Sequence, residues 1–170
     1  MFLLGLGSNL SSSFGDRFEN LNLAISYLET YQIKIINRSS FYETPSYPDI
    51  KNPKFINLVV DVSTYLLPED LASVLIFVEE KLERKRIKKN EPRTCDIDII
   101  DYNGKVMEFT YKNLIFKVPH EKLIYRNFVL FPLQEIAPKW VHPKTKDSID
   151  VLINKLSNEE QKSILKISKS

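Results

Sequence analysis

The feature that most constrains the fold is the order in which two hydrophobic periods, one of strands and one of helices, alternate along the chain. Residues 2–6 form a short apolar run that ends at Gly5-Leu6-Gly7-Ser8-Asn9 and reads as a buried strand entering a tight turn. Asp16 with Glu19 three residues later matches a capping box, and Phe18, Leu21, Ile25 and Leu28 recur behind it at helical spacing. Residues 33–42 read as one strand, with Ile33, Ile35 and Phe41 on one parity. After a turn-rich stretch over residues 44–53, residues 55–63 alternate cleanly through Ile56, Leu58, Val60 and Val62. Pro68 opens a second helix with Leu71, Val74, Leu75, Val78 and Leu82 on one stripe, and residues 95–102 form a further strand. The order βαββαβ predicts the split βαβ, ferredoxin-like plan, an α+β fold with an antiparallel sheet and both helices on one face. Asn103-Gly104 ahead of residues 105–109 predicts a two-residue hairpin. From Val118 onward the pattern gives a short helix after Pro119-His120, an apolar helical stretch over residues 128–136, and a polar tail.

A chain of 170 residues with 43% hydrophobic content can bury one proper core, so a single domain over residues 1–170 is expected. The net charge of +2 gives no whole-molecule attraction to nucleic acid or to an anionic membrane. The charge is instead local: Arg84, Lys85, Arg86, Lys88, Lys89 and Arg93 stand within ten residues against Glu91 alone. One cysteine, Cys95, excludes an internal disulfide and agrees with a reducing compartment, and no stretch reads as a secretory leader or a membrane span. A cytoplasmic, monomeric protein without membrane or nucleic-acid partners is expected.

The segment richest in chemistry is Pro92-Arg93-Thr94-Cys95-Asp96-Ile97-Asp98-Ile99-Ile100. On a strand Asp96 and Asp98 share one face while Ile97 and Ile99 share the other. Paired carboxylates suit a hard cation, and magnesium is usually held by one or two carboxylates together with waters and substrate phosphates, so two ions could bridge this pair to a nucleotide. An isolated Asp-x-Asp is more often a surface strand alternating acidic with apolar residues; the neighbouring basic run, able to fold over phosphates with Arg93 nearest the ions, favours the metal-nucleotide reading. Asn57 is an amide within an apolar strand, on the face of Phe55, and an aromatic beside an amide can sandwich and read a flat heterocycle. His120 and His142 are too far apart in sequence to imply a metal pair, and each alone is more often a structural polar residue.

Five ordered motifs then carry a resemblance: Gly5-Leu6-Gly7-Ser8-Asn9-Leu10, Ser39-Ser40-Phe41-Tyr42-Glu43-Thr44-Pro45, Phe55-Ile56-Asn57, Glu79 ahead of Arg84 with the Pro92 to Ile99 run, and Val118-Pro119-His120 leading to Arg126-Asn127-Phe128. Together, from the first strand to about Pro143, they resemble the hydroxymethyl-dihydropterin pyrophosphokinases of folate biosynthesis. The resemblance implies an enzyme that binds ATP with magnesium, then the pterin, and transfers the β,γ-diphosphoryl unit to leave AMP. It implies that Asp96 and Asp98 hold two magnesium ions and that Asn57 bonds the pterin's polar edge. Phe55 and Phe128 would contact its ring, and Thr44 and Pro45 would line the pocket. Glu79, His120 and Arg126 would contact the nucleotide, with Arg84 and Arg93 steering phosphates. The chain departs from the family pattern at Asn90-Glu91, where a Trp-Gly pair is common, and its basic loop is one residue shorter. Two other classes compete with this reading. A two-metal nucleotidyltransferase predicts a wide basic surface, and a non-catalytic ligand-binding module of the same fold needs no acid pair beside a basic loop.

Overall fold

In the computed structural model, which describes residues 1–168, the elements run β1 (Phe2–Ser8), α1 (Arg17–Thr30), β2 (Lys34–Arg38), β3 (Phe41–Thr44), β4 (Phe55–Ser63), α2 (Pro68–Lys81) and β5 (Asp96–Tyr102). These are followed by β6 (Met107–Tyr111), β7 (Leu114–Val118), a 3-10 turn (Leu123–Tyr125), α3 (Asn127–Ile136), α4 (Ile149–Asn154), α5 (Asn158–Lys162) and β8 (Leu165–Ile167). The main sheet is ordered β5-β1-β4-β3-β8, with β2 also paired to β4, and every pairing is antiparallel. With β2 and β3 taken as one interrupted strand, this is the strand order of the split βαβ plan that the sequence predicts.

Both local signals at the helix starts are realised. Asp16 accepts from the Phe18 and Glu19 amides while the Glu19 carboxylate accepts from the Asp16 amide, which closes a full capping box on α1. Pro68 opens α2, where a missing N–H costs nothing. Leu21, Leu28, Leu71, Leu75 and Val78 from these helices pack with Leu4, Leu6, Ile56, Leu58, Val60, Ile97 and Ile99 into one core. Fully burying each such side chain contributes about 1.5–3 kcal/mol relative to leaving it exposed.

Strand β4 is buried on both sides, which the clean alternation of its sequence does not announce. Leu3, Val59 and Ile100 on the opposite face pack under Leu130, Leu133, Trp140, Ile149 and Leu152, so α3 and α4 form a third layer. Residues 149–167 of the polar tail carry α4, α5 and β8, with β8 pairing along β3. Residues 33–42 are two strands, not one. Between them Ser39 donates its amide to the Val59 carbonyl at 2.9 Å, and its hydroxyl takes the Val59 N–H at 3.0 Å, so a side chain replaces a rung of the ladder. The first strand does not turn at Gly5 but continues to Ser8. At Asn103-Gly104 the tight turn forms, with φ of 52° and 72° and Lys105 N–H donating to the Tyr102 carbonyl. The following strand nevertheless pairs with β7 through a second turn at Lys112-Asn113, where φ is 46° and 62°. No helix among the described residues is long and apolar enough to cross a membrane.

Candidate active site

The face covered by α3 and α4 is left open at one end of the sheet, and that end gathers the polar residues. Gly7 of β1 lies opposite Asp96 of β5 on one side and Asn57 of β4 on the other; Asn57 in turn faces Tyr42 of β3. Cross-strand partners project to the same side of a sheet, so Asp96, Gly7, Asn57 and Tyr42 form one row, with Asp98 and Gly5 in the next. The glycines are the floor. A Cβ on Gly7 would stand 3.0 Å from Asn57 Oδ1 and 3.6 Å from the Phe55 ring; one on Gly5 would stand 3.2 Å from Ile100. Their value lies in the missing side chain, not in any turn.

Asn57 is 4% exposed, and its Nδ2 donates to Thr44 Oγ1 at 3.0 Å and to the Tyr42 carbonyl at 3.4 Å. Both donors are thereby committed, so the amide orientation is fixed and Oδ1 is the atom turned to the open floor. Phe55 lies on the same face, and the Arg93 guanidinium sits 5.0 Å from its ring centroid. Phe128, at the start of α3, carries Arg126 over its ring at 5.5 Å. Thr44 is buried and acts by holding Asn57, while Pro45 is exposed at the mouth of the 45–54 loop.

The acid pair is ringed by arginines. Arg84 donates to Asp96 Oδ1, to Glu79 Oε1 at 2.7 Å and to the Cys95 carbonyl at 3.3 Å. The Arg93 Nε lies 2.9 Å from Asp96 Oδ2, and Arg126 donates to Asp98 Oδ2 at 3.1 Å. Burial raises the Asp96 pKa, yet the charges of Arg93 and Arg84 outweigh it and hold the carboxyl at about 2. Asp98 moves the other way, pushed up by burial and by the Asp96 charge against the pull of His120 and Arg126. The Arg84 side chain is only 11% exposed, so the basic run is not a uniformly solvated loop. Glu79 departs from the expectation of direct nucleotide contact. It is 2% exposed, and its oxygens are taken by Arg84, Arg86 and the Ile97 amide, so whatever it does toward a nucleotide passes through those arginines.

His120 Nδ1 accepts the Lys122 N–H at 3.1 Å, which in the neutral ring puts the proton on Nε2. Burial lowers its pKa against the Asp98 charge, and the ring lines the cleft beside the acid pair. His142 by contrast accepts the Lys144 and Thr145 amides and serves a turn. The cleft has two compartments. One, of about 330 Å³, is walled by Arg84, Arg86, Lys88, Lys89, Arg93 and Arg126 around Asp96 and Asp98. The other, about 160 Å³, lies where β7 passes β5, with Ile97, Ile99, Leu114, Phe116 and Val118 on its apolar side and Arg86, Asp96, Asp98, Lys117 and His120 on its polar side. Leu114 and Phe116 escape sequence reasoning because they join the site only through the β6–β7 hairpin. Thr94 lies within the conspicuous run, and its hydroxyl is buried with no partner among the described residues.

A family model described as 7,8-dihydro-6-hydroxymethylpterin-pyrophosphokinase matches residues 3–138. A 2-amino-4-hydroxy-6-hydroxymethyldihydropteridine pyrophosphokinase of Synechocystis sp. is 35% identical over 155 residues, covering 91% of this chain and 75% of that protein. The protein of the same description from Aquifex aeolicus is 37% identical over 140 residues, 82% of each chain. A folic acid synthesis protein of Dictyostelium discoideum is 37% identical over 82% of this chain, which spans only 20% of that longer protein. Among solved structures, the Plasmodium falciparum HPPK-DHPS triple mutant with SDX-DHP superposes with a TM-score of 0.72 at 20% identity, over 91% of this chain and 44% of that one. That likeness speaks for the fold.

Proposed function

Because the chain belongs to the 7,8-dihydro-6-hydroxymethylpterin-pyrophosphokinase family, we propose that it transfers the β,γ-diphosphoryl unit of ATP to the hydroxymethyl group of 6-hydroxymethyl-7,8-dihydropterin, releasing AMP on the route to folate. The observation that carries this reading is the row Asp96–Gly7–Asn57, which sets an acid pair and a fixed ring-reading amide on one face with a glycine gap between them.

In this reading Asn57 Oδ1 accepts from the N–H edge of the pterin, while Phe55 and Phe128 contact its ring and Thr44 and Pro45 shape the pocket. The smaller compartment along β7 takes the adenine against its apolar side, with His120 Nε2–H as a donor at its mouth. The triphosphate lies in the basic compartment, where Arg84, Arg93 and Arg126 neutralise its charge and Glu79 keeps Arg84 and Arg86 aimed. The donor set fits magnesium. Asp96 and Asp98 offer hard oxygen ligands on one strand face, and no group of three or more His, Cys, Asp or Glu among the described residues forms a ready-made cage, so an ion would share its coordination with phosphates and water. Asp96 and Asp98 would hold two such ions, and bound magnesium supplies charge neutralisation and fixes the phosphate oxygens. The pterin hydroxyl oxygen forms a bond to Pβ as the bond from Pβ to the oxygen bridging it to Pα breaks, in line; that bond's electron pair leaves on the AMP phosphate oxygen, and the hydroxyl proton passes to solvent. The protein's share is positioning and electrostatics, which is what the arrangement of arginines offers.

Phosphorus NMR of the reaction mixture tests the class of transfer. Two mutually coupled phosphorus signals on the pterin product, alongside AMP, are expected; a pterin monophosphate alongside ADP would overturn the proposal.

A further inference from the structure

Asn9 follows directly on β1 and is 2% exposed. Its main-chain N–H donates to the Arg93 carbonyl at 3.1 Å, and its Oδ1 accepts the Arg93 N–H at 2.7 Å, so it grips both polar groups of the Arg93 backbone. Its Nδ2 donates to Ser46 Oγ and to the Pro53 carbonyl, each at 3.1 Å. Ser46 itself donates to the same Pro53 carbonyl at 2.5 Å, closing the neck of the 46–53 loop. One buried amide thus joins three segments that are remote in sequence.

The same connection holds the other foot of the basic segment. The Ser13 amide donates to Glu83 Oε2 at 2.9 Å and its hydroxyl to Oε1, and Glu83, at φ 67°, is where the chain leaves α2 for the basic run. Residues 83 and 93 are therefore both tied to the segment that follows β1. Of these ties, only Asn9 also reaches the loop beside Phe55 and Asn57.

We infer that Asn9 is a positioning residue that keeps the 46–53 loop and Arg93 in one register, so that the heterocycle-reading side and the phosphate side of the cleft are held ready for one pair of substrates. The naming of those sides rests on the function proposed above. The residue type follows from the bonds. Asp at this position would keep the acceptor for Arg93 but lose both donors, and Ala would lose all three side-chain bonds and take the partner from the half-buried Arg93 amide.

Hydrogen exchange on the ligand-free protein, compared for Asn9→Ala and Asn9→Asp, separates these bonds. Asn9→Ala should quicken exchange about ten-fold in residues 46–53 and in residues 84–93 while leaving residues 58–62 of β4 unchanged. Asn9→Asp should quicken only residues 46–53. Acceleration in neither segment, or an even acceleration that includes β4, would overturn the inference. If Asn9→Ala does not fold, the Asn9→Asp pattern alone decides in the same way. In turnover, Asn9→Asp should raise KM for the pterin about ten-fold, with KM for ATP moved less than about two-fold; equal changes would overturn the inference. Because the exchange measurement needs no substrate, a chain that produced no AMP would leave it standing and fault only the proposed reaction.

Discussion

At Gly7 the absence of a side chain does chemical service. The strand passes between Asp96 and Asn57, and a methyl group there would press on Asn57 Oδ1 at 3.0 Å. Gly7→Ala should cost pterin binding about 1–3 kcal/mol, the usual penalty for overpacking a tight site, with ATP affinity little changed. Calorimetric titration of each ligand checks this, and equal losses for both would contradict the floor assigned to Gly7. The neighbouring carboxylates show how position sets charge: Asp96 sits between Arg84 and Arg93 and stays ionised far into acid, while Asp98, with Arg126 as its hydrogen-bonded partner, is raised by burial and by Asp96. That Asn57 shares a face with Phe55, and Asp96 with Asp98, was legible from parity alone, since alternate residues of a strand share a face. Asn9, Gly7 and Thr94 lay within conspicuous motifs, yet their contacts are all between strands or loops and leave no periodic trace.

Among the elements, α3 is fastened to the sheet by Glu135. Its carboxylate accepts from the Ser40 amide at 3.2 Å, the Ser40 hydroxyl at 2.8 Å and the Tyr42 hydroxyl at 2.7 Å, with Lys166 of β8 at 3.4 Å. Burial would raise its pKa, but these hydrogen bonds and the Lys166 charge lower it below the ordinary range, while burial and Glu135 together keep the Tyr42 phenol protonated. A depressed carboxylate stabilises the fold fully above its unfolded pKa of about 4.3 and loses that contribution as pH falls through its folded value. Glu135→Gln should therefore cost about 1–2 kcal/mol in urea unfolding at pH 7. The difference from the parent should shrink in acid, below the carboxylate range, and a cost independent of pH would contradict the charged clamp. The capping box of α1 and the proline start of α2 were readable because their partners lie within one turn. The break between β2 and β3 was not, because Ser39 acts on Val59 some twenty residues away. Asn103-Gly104 predicted its turn correctly and its strand partner wrongly, since φ is a local property and pairing is not.

On the scale of the molecule, three layers explain why the cleft lies where it does. Helices α1 and α2 seal one face, α3 and α4 seal most of the other, and the uncovered end of that second face carries the row from Asp96 to Asn57. The third layer was hidden in the sequence because β4 is apolar at Val59 as well as at Leu58 and Val60, and a single apolar residue between two alternating ones does not declare a second buried face. The modest net charge conceals a strongly basic compartment beside two carboxylates, the combination that suits a nucleotide's phosphates with a divalent ion. The measurement that meets the central claim most directly is AMP release with each component omitted in turn. AMP should form only when ATP, magnesium and 6-hydroxymethyl-7,8-dihydropterin are all present, and Asp98→Ala should abolish it while circular dichroism stays native. AMP that forms without the pterin, or none at all while the pterin binds tightly, would contradict the assignment.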